Sequence, residues 1–140
     1  MEGKIILKKE IEKGAFNKGG EASSKLKSNL GKIGINPGII RKASIVTYEL
    51  EMNIIIHSGG GSIKVKLNPD KISIIAGDQG PGIKNVQKAF QPGYSTAGEE
   101  IRELGFGAGM GLNNVKNNAD KLEVDTELNE GTTIKVEIMI

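Results

Sequence analysis

An α/β (α+β) two-layer sandwich, with helices on one face of a mixed, mostly antiparallel sheet, is predicted by three observations. Apolar residues recur at helical spacing from Pro37 to about His57, two β-like runs flank the turn Asn68-Pro69-Asp70, and two more flank Asn129-Glu130-Gly131 near the end of the chain. Helical and strand periods therefore alternate along one short chain, and each amphipathic element needs a second layer to cover its apolar side.

The elements follow in order. Residues 3–12 place Ile5, Leu7 and Ile11 among charged neighbours, as an edge strand does, and Glu21 to Leu30 reads as a helix ended around Gly31. After the loop Gly34-Ile35-Asn36-Pro37-Gly38, Asn36 is placed to cap a second helix with Pro37 at its first position. Ile39, Ala43, Val46, Leu50 and Ile54 then recur on one side of it. Ser58-Gly59-Gly60-Gly61 breaks that helix, and Ser62 to Leu67 with Lys71 to Ala76 form a central hairpin. A short helix is expected near Lys84 to Phe90, a polar stretch from Gln91 to Leu104, and a further helix from about Gly111 to Ala119. Leu122 to Leu128 and Thr132 to Ile140 close the chain as a second hairpin.

At 140 residues the chain suits one domain over 1–140, able to bury about two-thirds of its unfolded surface. With 37% hydrophobic residues but only three Phe and two Tyr, its core must be aliphatic. No apolar run approaches the roughly 20 residues that span a bilayer, and Met1-Glu2-Gly3-Lys4 lacks a signal-peptide core, so a cytoplasmic protein with no membrane partner is expected. Zero cysteines and a single histidine, His57, exclude thiolate chemistry and a histidine-based zinc site, leaving oxygen donors for any metal. Residues 1–70 carry 12 Lys/Arg against 7 Asp/Glu, and residues 71–140 carry 7 against 10. Without aromatic interleaving that basic half is not read as a direct nucleic-acid surface; a solvated face or an acidic protein partner fits better.

Four glycines alternate in Gly105-Phe106-Gly107-Ala108-Gly109-Met110-Gly111 and run into Leu112-Asn113-Asn114-Val115. Glycine at every second residue lets the backbone turn its amides inward, and the helix that follows adds unpaired N–H groups and a partial positive charge, the ingredients of a phosphate site. A P-loop is excluded because Gly31-Lys32 is followed by Ile33 and no lysine follows a glycine of the run. The dinucleotide fingerprint fails as well, since Met110 and Leu112 stand where its third glycine belongs.

Glu49 and Asn53, four residues apart, project from one side of the second helix and supply a carboxylate and an amide oxygen, the hard donors magnesium prefers. Asp78-Gln79-Gly80-Pro81-Gly82 puts a carboxylate at a strand end, with two glycines that permit close approach. Each pattern alone also suits an ordinary solvated helix or turn. Together, Glu49 with Asn53, Asp78 with Gly80 and Gly82, the glycine run ending at Gly111, and Gly131-Thr132-Thr133 resemble, in order and spacing, the N, G1, G2 and G3 boxes of the GHKL ATPases. The resemblance covers roughly residues 40–140. Glu49-Leu50-Glu51-Met52-Asn53, Pro92-Gly93-Tyr94-Ser95-Thr96 and Gly107 to Leu112 make it closest to the bacterial anti-sigma-factor serine/threonine kinases of the RsbW and RsbT type, the RsbT-like members above all.

That resemblance implies a Bergerat-type ATP-binding fold and a Mg-ATP-dependent kinase of a partner-switching system. The kinase would phosphorylate a STAS-type partner and so control a sigma factor or related regulator; homodimers also occur in such a family. It implies Asn53 as Mg²⁺ ligand and Glu49 as general base. Asp78 would be the acceptor for the adenine amino group, supported by Thr132 through its hydroxyl or a water. Gly80 and Gly82 would admit the base, and Gly107, Ala108, Gly109, Met110, Gly111 and Leu112 would line the phosphates. Residues 91–106 would be a lid that orders over nucleotide. Arg102 is the candidate cation for the transferred phosphoryl group, with Lys116 the alternative and a surface role competing for both, because Gly107 and Ala108 stand where related kinases often place an arginine. That departure keeps a second reading open, a nucleotide-gated protein-binding module with little or no turnover. A detached histidine-kinase domain is the third, and it lacks a phosphoacceptor helical hairpin. His57 reads as a structural helix-end residue, Ser95 and Thr96 as lid-shaping, and Met52, Met110 and Met139 as packing atoms.

Overall fold

The computed structural model describes residues 3–12, 14, 18–57, 60–78, 111–127 and 131–140. In chain order these form β1 (Lys4–Ile11), α1 (Glu21–Ile33), α2 (Pro37–His57), β2 (Gly61–Leu67), β3 (Lys71–Asp78), α3 (Gly111–Asn118), β4 (Lys121–Glu127) and β5 (Gly131–Met139). The five strands make one sheet in the order β1-β2-β3-β5-β4. Where a mixed, mostly antiparallel sheet was expected, all four described ladders are antiparallel. Hairpins join β2 to β3 and β4 to β5, and β5 inserts beside β3.

Period-two alternation decides which side of the sheet is covered. Leu7, Ile63, Val65, Ile72, Ile74, Ala76, Ile134, Val136 and Ile138 all point to one side and are buried, and the registers Leu7↔Val65↔Ile74↔Val136 align them across four strands. A slip of one residue in any of these strands would turn its apolar set to water, so the pattern holds the register. Each of the Leu, Ile and Val side chains contributes roughly 1.5–3 kcal/mol by leaving water, and Ala76 less.

Helix α2 lies against the sheet with α1 and α3 on its flanks. Its start is the predicted one: Asn36 Oδ1 accepts the Gly38 N–H at 2.8 Å, and the Asn36 carbonyl accepts from Ile39 and Ile40. Ala43, Val46, Leu50 and Ile54 are buried as expected, but so are Thr47, Glu51, Met52 and Ile55, because flanking helices enclose two further sides of α2. Helix α1 runs three residues past its expected end. A Cβ at Gly31 would meet nothing, and the helix passes through it to Ile33. It stops at Gly34, whose φ of 86° carries its N–H back to the Leu30 and Gly31 carbonyls.

Candidate active site

Residues two apart on an α-helix point to nearly opposite flanks, so Glu49 and Glu51 leave α2 in different directions. Glu49 faces α3, where Asn114 Nδ2 donates to its Oε1 at 3.3 Å. Helix α3 is seated for this by buried Val115 and by Leu112, which packs against the core. Burial pushes the Glu49 carboxyl above the ordinary glutamate range, and the Asn114 hydrogen bond pulls the other way by favouring the anion. The half-buried Asn53 follows one turn along α2. The arrangement can present a carboxylate of raised proton affinity beside an amide oxygen, next to the first turn of a helix that follows a glycine run.

Asn114 is the site residue that sequence reading missed. Its signal lay in Leu112 and Val115, three apart and both toward the core, which leave a residue between them, Asn113 or Asn114, able to face a neighbouring helix. Asn114→Ala removes the bond that favours the charged carboxylate, so the Glu49 titration midpoint is expected to move further up. A carbon-detected NMR titration of that carboxyl reads this without any need for turnover, and an unchanged or lower midpoint would refute the coupling.

Asp78 is the last residue of β3, directly opposite Thr132 of β5 and Gly61 of β2. The Thr132 N–H donates to Asp78 Oδ1 at 3.2 Å, so the backbone of a neighbouring strand orients the carboxylate. The Thr132 side chain is buried. A Cβ at Gly61 would run into the Gly77 carbonyl oxygen and lie 2.9 Å from Asp78 Cα, so the close approach here is made by Gly61, which sequence reading took only as part of the break after the second helix. Gly80, Gly82, Arg102, Gly107, Ala108, Gly109 and Met110 lie outside the described residues, as do Ser95, Thr96 and the expected 84–90 helix. Gly111 opens α3 as expected, His57 ends α2, and Lys116 is exposed on α3. Met52 packs in the core, whereas Met139, expected to pack, is 45% exposed. Among the described residues no group of three or more His, Cys, Asp or Glu could hold a metal alone, and no helix is long and apolar enough to cross a membrane.

An antiparallel sheet under a central helix that bears an acid and an amide, with a second carboxylate at a strand end, is consistent with the α/β fold of the GHKL ATPases. Residues 38–140 match the model of the histidine kinase-, DNA gyrase B-, and HSP90-like ATPase family, and the chain belongs to that family. It is 36% identical over 104 residues to the serine/threonine-protein kinase RsbT of Bacillus subtilis (strain 168), covering 70% of this chain and 72% of that one. It is 35% identical over 109 residues to the anti-sigma F factor of Thermoanaerobacter sp. (strain X514), covering 73% of each. The anti-sigma F factor of Clostridium beijerinckii is 32% identical over 103 residues, covering 69% of this chain and 68% of that protein.

Proposed function

We propose that the chain is a Mg-ATP-dependent serine/threonine protein kinase, one ATP-binding domain over 1–140, that phosphorylates a STAS-type regulatory partner and thereby controls a sigma factor or related target. The carrying observation is the half-buried Glu49 carboxylate, held by Asn114 at the first turn of α3. Its likeness to a named serine/threonine kinase and to anti-sigma factors supports the same reading. Glu49 accepts the proton of the attacking Ser or Thr hydroxyl. Asp78 accepts the adenine amino group; a guanine keto oxygen in that place would set two acceptors against each other, so ATP is preferred over GTP. Thr132 fixes Asp78 through its N–H, and its hydroxyl assists at the base.

Asn53 and the Glu49 side of α2 offer oxygen donors only, which fits Mg²⁺, an ion that keeps few protein ligands and completes its shell with water and phosphate oxygens. Asn53 would hold it, and the ion would neutralise charge on the phosphates. In this reading the backbone amides of Gly107 to Leu112 would serve the phosphates, Gly80 and Gly82 would admit the base, and Arg102 would be the cation for the transferred group. The protein acts in the cytoplasm, as a monomer or a homodimer. A nucleotide-gated binding module is the second reading, favoured by the missing arginine at Gly107-Ala108.

Asp78→Asn tests the nucleotide site apart from catalysis. It turns one acceptor into a donor facing the adenine amine, and ATP affinity by calorimetry is expected to fall about 10–100-fold, the worth of a charge-assisted hydrogen bond. Unchanged affinity would mean that adenine sits elsewhere.

A further inference from the structure

The sheet face turned away from the helices carries a charge pattern that the nucleotide site does not use. Two transverse rows cross it. One runs Lys8, Lys64, Ile75, Lys135 and Glu123 over β1, β2, β3, β5 and β4; the next runs Ile5, Lys66, Ser73, Glu137 and Lys121, so lysines dominate the rows over β1 and β2. Solvated sheet faces ordinarily mix both signs, and like charges placed directly opposite each other destabilise the pair. Here Lys8 stands directly opposite Lys64. Glu137 serves two ammonium groups, 3.2 Å from Lys71 and 3.8 Å from Lys135, and Lys71 holds its carboxyl below the usual range. Lys8, Lys64 and Lys66 have no ion-pair partner among the described residues. Between the rows lies a shallow groove of about 560 Å³, whose lining includes Ile5, Lys66, Lys71, Ser73, Ile75, Lys135 and the Glu137 carboxylate, with Lys8 and Lys64 beside it. Ser73 is 5% exposed and Ile5 50% exposed, so the groove has a polar floor and an apolar rim.

We infer that this groove is a docking surface for an acidic, extended segment of a partner protein, separate from the nucleotide site and independent of its reading. Alternating carboxylates would meet Lys66 in the groove and Lys64 and Lys8 in the row beside it, and aliphatic side chains between them would cover Ile5 and Ile75. A second copy of the same face would bring lysines against lysines, so charge opposes self-pairing through it. Nucleic acid fits less well: the lining has no aromatic ring for a base to stack on and no arginine to grip phosphate bidentately.

The test uses a fluorescein-labelled 12-residue peptide with Glu at alternate positions and Leu, Ala and Ser between them, followed by polarisation at two salt concentrations. Saturable, salt-weakened binding is expected, reduced at least tenfold in a Lys64→Glu/Lys66→Glu variant and changed less than twofold in Lys27→Glu/Lys32→Glu, the same charge change on α1. Lys64→Ala/Lys66→Ala should lose part of the affinity, and circular-dichroism melts establish that every variant folds. Absence of saturable binding, or equal loss in both charge-reversal variants, overturns the inference. Tighter binding of a 12-mer of thymidylate, or of phosphatidylserine vesicles, also overturns it and reassigns the face to nucleic acid or lipid.

Discussion

Glu49→Gln is expected to bind ATP within a few-fold of wild type and to transfer phosphate roughly 10²–10⁴-fold more slowly, the contribution of a positioned general base. Glutamine keeps the shape of the side chain and an oxygen that can accept from Asn114 Nδ2, so the α2–α3 contact survives while the proton acceptor is lost. The wild-type reaction should also show an acidic limb set by Glu49. Because burial raises that carboxyl, the limb lies above the ordinary glutamate value of about 4.3, and activity falls as pH drops through the raised midpoint. Glu49→Gln should erase the limb along with most of the rate. Rapid-quench measurement of phosphate transfer to a serine-bearing partner, alongside calorimetric ATP binding, separates the two proposals. A kinase loses transfer and keeps binding, whereas a variant that transfers at the wild-type rate removes Glu49 from the chemistry.

What could be read from the sequence is what depends on neighbours along the chain. Asn36-Pro37 announces α2 because capping and the fixed proline φ act within three residues. The two hairpins follow from turn residues between alternating runs, and the sheet side that becomes core follows from the same alternation. The end of α1 was misjudged because an isolated glycine inside a helix costs only about 1 kcal/mol, which packed Leu26 and Leu30 on the same helix outweigh. Asn114 against Glu49, and Gly61 against Asp78, join residues far apart in sequence, and although Leu112 and Val115 mark the side of α3 that turns to the core, nothing local names the partner in either pair. The motif residues Glu49, Asn53 and Asp78 were nonetheless legible, since a carboxylate and amide at helical spacing and a carboxylate at a strand end are patterns that short-range geometry creates.

Glu51→Ala is expected to destabilise the fold by about 2–4 kcal/mol, the largest stability loss of any site-helix substitution considered. Glu51 sits in the middle of the Glu49-to-Asn53 motif yet serves the opposite flank. Its Oε1 accepts the Gly20 N–H at 2.9 Å and its Oε2 the Ala22 N–H at 3.0 Å, with the residue only 1% exposed. Helix α1 begins at Gly20, which has no side chain to cap it, so α2 supplies from a distance the acceptors that a local Ser or Asp would otherwise give. The negative charge also suits the positive end of α1. Alanine strands a buried donor and a half-buried one and leaves a void; glutamine keeps the volume and one acceptor, so its loss should be about 1–3 kcal/mol. The pH dependence follows from the direction of the shift. Burial raises the Glu51 carboxyl more than the two N–H bonds and nearby Lys9 lower it. The folded state therefore binds the proton more tightly than the unfolded chain, and this group's stabilisation is complete below the unfolded value and lost as pH rises through the folded one. Glutamine has no such dependence, so the stability gap between wild type and Glu51→Gln should narrow as pH rises through that window. Urea melts at several pH values read it directly. A gap that widens instead would mean that the two amide bonds outweigh burial and that Glu51 is held as an anion, making the α1–α2 joint strongest at neutral pH beside the very helix that carries Glu49.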